Sequence, residues 1–529
     1  MHSIPLALAA ATPLTMDHMK IELHINPCRE NSWVPNLTER LASRFGGVPI
    51  SVLRGEAVEL PAAVRQLLNF EDILYRRAPM PAQPEVHASH LPEQVSAPTS
   101  LDDLVIEFAP SLSSGPSAAR RLRVLFDGVC DDAQLYAAYL SGRLPHIEIA
   151  DAQSQRILAA GIPCTDNATS LQEAVEYAYA RVVTLVMVAL ENPRDLTAMQ
   201  PQRHPFPSAP QLAIHEARSL AAAAVRRLYR MCCYAPHWQI GWRWIEGPGV
   251  MERGDLGGAP WRVLADPGRR FYADPMPIIH DGRAYIFFED LPHATQKGVI
   301  SYVEVTAKGP VGPVQPVLEE PWHLSYPFLI RDGGDIFMIP EASASREVTL
   351  YRADPFPEKW VRHATLLSDI DLSDATVIEH HGHYWMFGTT RDGAGSPSDT
   401  LSIFHAPKLE GPWLPHRLNP VLVDPITARP AGPCVLRDGK IWRVTQDCSR
   451  GYGKAIALSE ITVLDEGSFA QRLDKVVHPD AAWRGRRFHH LARAGNVECV
   501  DGSASAPKSR LISQYFFPGR NGKHVIDNP

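Results

Sequence analysis

The stretch Ala273–Asp290, ADPMPIIHDGRAYIFFED, carries a polar opening residue, an apolar run, an Asp-Gly turn and a second apolar run ending in acids. It recurs as Ser325–Glu341 (SYPFLIRDGGDIFMIPE), Ser373–Thr390 (SDATVIEHHGHYWMFGTT) and Ala428–Asp447 (ARPAGPCVLRDGKIWRVTQD). A worn fifth copy is Arg487–Gly502 (RFHHLARAGNVECVDG). The expected turns are Asp281-Gly282, Asp332-Gly333, His381-Gly382, Asp438-Gly439 and Asp501-Gly502, spaced 51, 49, 57 and 63 residues apart. Asp-Gly between apolar runs signals a hairpin, because both central positions of a type I′ turn need positive φ. A hairpin at this period predicts radially repeated sheets. The reading is an all-β five-bladed β-propeller over residues 238–529.

The repeat also predicts a site. First strands of propeller blades line a central channel, so the residues opening each copy converge on one axis: Asp274, Tyr326, Asp374, Arg429 and the pair His489/His490. Second strands end in Glu289-Asp290, Glu341, Thr389-Thr390 and Gln446-Asp447. A purely structural repeat would put Val or Ile at such inward positions. Buried charge is costly unless paired or functional, so this ring predicts a polar binding site.

The chain of 529 residues exceeds one core and implies more than one domain. Short apolar runs at 20–25, 49–53, 104–108, 122–126 and 146–149 alternate with helix-like stretches at 36–44, 60–76, 132–140 and 170–190. That alternation predicts an α/β domain with a largely parallel sheet over 20–195, behind a leader at 1–19. A Pro-, Ala- and His-rich loop is expected at 80–100. Asp127-Gly128 follows a strand and reads chiefly as a turn, with a ligand site as the sharper reading. The linker 196–237 contains LAIHEARSLAAAAVRRLYRMCCY (212–234), with Arg218, Arg226, Arg227 and Arg230 and no acid after Glu216. This helix is expected to pack its apolar side between the domains. The second expectation is a peripheral contact with an anionic membrane.

Net charge of −7 argues against a nucleic-acid partner. No GxGxxG or GxxxxGK[ST] motif is present. The eight cysteines show neither zinc spacing nor a disulfide framework, which points to a reducing, cytoplasmic location. No apolar run reaches 18 residues, so no membrane-spanning helix is expected.

The segments WQIGWRWIEG, KGVISYVEV, HLSYPFLI, MIPEAS, GPWLPHRLNPV and TQDCSRGYGKAI, with the repeats above, resemble a known domain. It is the N-terminal propeller of glucosamine inositolphosphorylceramide transferases and their bacterial relatives. The bacterial proteins often carry a formyltransferase-like segment ahead of it. The first half is similar to such a segment only in degenerate form: its catalytic constellation has no counterpart beyond His204-Pro205, and formyl transfer is not expected. The propeller is similar in architecture to five-bladed glycoside hydrolases. That resemblance implies Asp274 as base or nucleophile and Asp374 as a positioning carboxylate. It breaks at Arg429, where those enzymes place a Glu as general acid, and an arginine donates no proton at neutral pH. Glu341 is then the expected acid, with Glu289 the other candidate.

The function expected is a glycosidase or glycosyl-transferring enzyme acting on a surface glycan or glycolipid. Asp274, Glu341 and Asp374 are catalytic, and Glu289, Tyr326, Arg429, Gln446, Asp447, Arg450, His489 and His490 bind substrate. Arg429, Arg450 and Lys454 would clamp a phosphate-bearing donor, or else form salt bridges to Asp447 or Asp374. Tyr272, Trp322, Tyr326, Trp385 and Tyr452 suit either sugar stacking or blade packing. The alternative is a non-catalytic glycan-binding propeller in polysaccharide or glycolipid biosynthesis. No cofactor is expected, and a channel-bound divalent cation held by these carboxylates and His489/His490 is left open.

Overall fold

The computed structural model describes residues 19–29, 33–46, 48–55, 58–75, 103–108, 119–166, 168–391, 393, 395–483 and 485–509. The expected leader up to residue 18, the loop at 80–100 and everything past 509 lie outside the described residues.

The first half builds one sheet from β1 (Ile21–Ile25), β2 (Ile50–Arg54), β3 (Leu104–Glu107), β4 (Arg120–Phe126), β5 (Ile147–Asp151) and β6 (Ile157–Gly161), in the order β2-β1-β3-β4-β5-β6. The first four are parallel, and β5 and β6 run antiparallel to their neighbours. Strand β6 escaped sequence reading because its ILAAG is short and lacks alternation. Helices α1 (Trp33–Arg44), α2 (Ala62–Tyr75), α3 (Ala133–Leu140) and α4 (Leu171–Glu191) supply the rest of the core. The Ser170 hydroxyl caps α4 by accepting from the Glu173 N–H, and α4 buries Val175, Tyr179, Val182 and Val186. Helix α5 (Ala209–Cys232) follows, shorter at its C-terminal end than expected because Cys233–Tyr234 is already a strand.

The second half is a ring of five sheets. Blades 1 to 4 occupy residues 270–318, 325–368, 372–423 and 435–477. Blade 5 takes its two inner strands from Leu491–Ala494 and Val497–Ser503 and its outer two from Trp238–Trp244 and Arg262–Val263. The start of the propeller sequence thereby closes its end. The buried Arg243–Glu498 pair locks this closure at 2.8 Å, with the guanidinium also over the Trp261 ring.

Three hairpin turns form as expected: φ is 47° and 74° at Asp281-Gly282, 52° and 75° at His381-Gly382, and 53° and 73° at Asp438-Gly439. Two do not. In blade 2 Asp332 pairs with Asp335, so the turn is Gly333-Gly334, where two glycines adopt positive φ more cheaply than Asp-Gly. In blade 5 Ala494 pairs with Val497, so the turn is Gly495-Asn496. Asp501-Gly502 lies inside the second strand, and Asp501 is fully buried.

The two halves share a buried joint. The Ile162 N–H donates to the Val423 carbonyl, and Val423 joins the α/β core. Arg181 of α4 donates from Nε to Asp399 Oδ1 at 2.8 Å, both side chains having no solvent exposure, and Asp399 Oδ2 accepts from the Cys164 N–H at 2.7 Å. Gly395 makes room: a β-carbon there would run into the Arg181 guanidinium.

Candidate functional site: the carboxylate end of the propeller axis

Inner strands Arg270–His280, Ser325–Asp332 and Leu372–His380 each lose register just past their opening residue. At that bulge stand Asp274, Tyr326 and Asp374, all left-handed, with φ of 51°, 41° and 58°. Non-glycine residues persist there only when the surroundings over-determine them, and bulges re-aim side chains. The same strain in three successive blades turns these side chains together.

Asp274 Oδ2 accepts from the Tyr326 N–H at 3.3 Å, while its own N–H donates to Asp501 Oδ2 at 3.1 Å. His489 Nδ1 lies 2.8 Å from Asp501 Oδ1, and its Nε2 lies 3.5 Å from Asp274 Oδ1. His490 Nδ1 is 3.6 Å from the same oxygen. Burial pushes Asp274 up, but the nearby His490 and His489 imidazoles and the Arg429 charge outweigh it, holding the carboxyl below its ordinary value. Burial likewise opposes charge on His489, yet Asp501 beside it raises that group.

Glu289 has the opposite environment. Burial and the surrounding Asp274, Glu341, Asp501 and Asp374 push it well above the usual carboxylate range. His323 Nε2 lies 3.3 Å from its Oε1, and His323 Nδ1 accepts the Gly298 N–H at 2.9 Å, so the ring proton sits on Nε2, toward Glu289. Glu341, the expected acid, is half-buried and accepts from Ser325 Oγ at 2.6 Å and from the Ser343 N–H at 3.4 Å. Both glutamates thus accept hydrogen bonds, and Glu289 is the more deeply buried of the two.

Arg429 does not stand free to clamp a substrate. Its Nε donates to Asp374 Oδ2 at 2.6 Å and its Nη1 to Ser398 Oγ at 3.4 Å, and its guanidinium lies 5.1 Å from the Tyr452 ring centroid. The salt bridge to Asp374 is therefore the outcome. Burial still pushes Asp374 up to about 6 against the pull of Arg429. Gln446 Nε2 is 3.4 Å from Asp374 Oδ2, which places it in the same cluster. Asp447 instead accepts from Ser449, and Arg450 is exposed on the following turn, without an ion pair among the described residues. Tyr326 does not offer its hydroxyl to a sugar. A relay runs from the Gly432 N–H to the Tyr326 oxygen at 2.9 Å, from Tyr326 to Thr376 Oγ1 at 2.7 Å, and from Thr376 to the Asp374 carbonyl at 3.1 Å. Among the aromatics, Tyr272 and Trp385 pack in blade cores, whereas Tyr452 lies beside His489 and Arg429.

Asp274, His489 and Asp501 bring ligand atoms within 4.8 Å of one another. Asp501 is already engaged, Oδ1 taking two His489 N–H groups and Oδ2 the Asp274 N–H, which leaves His489 Nε2 and the Asp274 oxygens as the ligand atoms facing each other. Sequence reading misses Asp501, because Asp501-Gly502 has the form of a turn, and His323, which opens the segment HLSYPFLI but stands ahead of the repeat. It also misses Asp166 of the α/β domain, which accepts from Ser396 and Ser398 at 2.8 Å each and so stands one serine away from Arg429. At the other end of the axis a cavity of ≈ 520 Å³ is mainly apolar, lined by Ile279, Phe328, Ile330, Val377 and Cys434 among others.

Fold and axis together define a five-bladed propeller whose channel is polar at one end. Its sequence matches agree on one kind of relative. Residues 264–499 match the family described as glucosamine inositolphosphorylceramide transferase 1, N-terminal. The Arabidopsis thaliana protein of that name is 34% identical over 230 residues, 42% of this chain and 30% of the relative. The Oryza sativa subsp. japonica protein is 31% identical over 247 residues, 44% of this chain and 33% of the relative. The chain thus spans about a third of the length of the curated relatives it matches. Among solved structures, a family 117 glycoside hydrolase from Zobellia galactanivorans aligns at 12% identity and a TM-score of 0.33, over 50% of this chain and 90% of that one. A thermostable family-43 glycoside hydrolase aligns at 13% identity and a TM-score of 0.30, over 40% and 77%. The sequence matches make this a carbohydrate-related protein.

Proposed function

We propose that the carboxylate end of the channel cleaves or transfers a glycosyl unit, with Glu289 as proton donor and Asp274 as base or nucleophile. The observation that supports this reading is the burial of Asp274, Glu289, Asp374 and Asp501 in one cluster, whose surroundings push Glu289 up and hold Asp274 down. Environments that drive two carboxyls apart assign one as acid and the other as base. Asp374, tied to Arg429, positions rather than reacts. The plant relatives' name speaks of glucosamine and of inositolphosphorylceramide, which supports a glycolipid as the substrate class. Eight unpaired cysteines support a cytoplasmic setting.

The test uses a panel of glycosides differing in leaving group. Glu289→Gln should lower turnover about 10²–10⁴-fold on poor leaving groups and far less on 2,4-dinitrophenyl glycosides, which need no acid. Asp274→Asn should abolish both. Equal loss in Glu289→Gln across leaving groups, or unchanged turnover in Asp274→Asn, would refute the assignment. Asp374 paired with Arg429 favours the second reading, a glycan-binding module. That reading predicts saturable glycan binding with no turnover in the unaltered protein.

A further inference from the structure

Helix α5 was expected to bury its apolar side between the domains, and it does not. Ser208 opens the helix, its N–H and hydroxyl both donating to Gln211 Oε1 at 2.8 and 2.9 Å. It lies against α2, yet across its 24 residues the one buried side chain is Leu212. Glu216, Ser219 and Ala223, half-buried, continue the inward face at helical spacing. The opposite face carries Ile214, Ala217, Ala221, Val225 and Leu228, with Met231 at its margin. Exposure is 52% at Ile214, 65% at Val225, 61% at Leu228 and 67% at Met231. No helix among the described residues is long and apolar enough to cross a membrane.

Arg218 borders this stripe, whereas at about 100° per residue Arg226 and Arg227 lie toward the Leu212 face and Arg230 falls on it. Arg218, Arg226, Arg227 and Arg230 are exposed, and none forms an ion pair among the described residues. Glu216 is the helix's one acid. Lys508 adds a further cation at the C-terminal end, donating to the Arg230 carbonyl at 2.6 Å. A cationic helix on a chain of net charge −7 is complementary to an anionic surface. A second copy seated on the stripe would cover it but leave the arginines of the other face without a partner. Anionic lipid accepts both features together: the stripe enters the acyl boundary, and the cationic polar face behind it attracts the head groups.

We infer that α5 is an interfacial anchor that lays the protein on an anionic phospholipid surface through Ile214, Val225, Leu228 and Met231, held by Arg218, Arg226, Arg227 and Arg230. This contact is independent of the chemistry in the channel.

The experiment is flotation of the full chain with vesicles of phosphatidylcholine alone and of phosphatidylcholine with about one-third phosphatidylglycerol, at low and high salt. Binding is expected to the mixed vesicles only and to fall with salt. Each arginine near such a surface contributes about fivefold in affinity, so Arg226→Gln/Arg227→Gln should weaken binding about 25-fold. Val225→Glu/Leu228→Glu should abolish it, with circular dichroism unchanged because both positions are exposed. Three results overturn the inference: no flotation of the folded protein with mixed vesicles, equal flotation of the variants, or a dimer that the glutamate variant makes monomeric without any vesicle binding. The last would give the stripe to a second copy.

Discussion

Replacing Arg181 by methionine should show how strongly the α/β domain is bound to the propeller. The change strands Asp399, which has no solvent exposure and would lose the 2.8 Å bond from Arg181 Nε while keeping the 2.7 Å bond from the Cys164 N–H. The Ser396 carbonyl also loses its Arg181 donor. Removing one partner of a buried ion pair costs about 3–5 kcal/mol. Protonation limits that cost. Burial already pushes Asp399 up to about 6 against the pull of Arg181, and without the arginine it goes higher. A folded value above the unfolded one, near 3.9, favours the fold at low pH, and that contribution is lost as pH rises through the folded value. The destabilisation by Arg181→Met should therefore be largest near pH 8, shrink by about 1.4 kcal/mol per unit between the variant's Asp399 value and about 6, and level off where Asp399 of the unaltered protein takes up its proton too. Urea unfolding followed by tryptophan fluorescence at pH 8 and pH 5.5 measures both. Asp399→Asn in the same chain should recover much of the loss at pH 8, because no charge is then left unpaired. A cost below about 1 kcal/mol at pH 8, or an equal cost in the Asp399→Asn background, would refute the argument.

Glu289→Gln should raise the melting temperature relative to the unaltered protein, and by more at pH 9 than at pH 5. A glutamate raised in the folded state gives stability that is complete below its unfolded value and is lost as pH climbs through the folded one, and glutamine has no such loss. A gap that does not change with pH would contradict this. Tyr326→Phe should cost about 1–3 kcal/mol, because the buried Gly432 N–H loses its acceptor and Thr376 its donor. Thermal unfolding of that variant against Tyr285→Phe, whose ring also packs in a blade, isolates the hydroxyl.

The propeller was legible because its signal is local and repeated. Positive φ at Asp281-Gly282, His381-Gly382 and Asp438-Gly439 is a demand that the residue types announce. The convergence of Asp274, Asp374, Arg429 and His489 followed from the repeat alone. What the chain does not announce is the sharing of charge between blades. Nothing in ARPAG says that Arg429 reaches Asp374 rather than a ligand, since that depends on the distance between two blades. Choosing Glu289 over Glu341 needed the depth of each carboxyl and its carboxylate neighbours. The exposure of α5 was hidden for a similar reason: a helical pattern shows which face is apolar, but not whether anything covers it.

Blade 5 closes the ring by pairing strands whose residues lie far apart in sequence, Arg243 and Glu498 being 255 positions apart. Contacts of such separation form late, because the intervening chain must first be ordered. His489 and Asp501, which steady Asp274, belong to that closing blade. A ribosome-bound chain displaying four finished blades would hold Asp274 without them. Until residues 489–501 have been made, Asp274 lacks the carboxylate that takes its N–H and the imidazole beside its Oδ1.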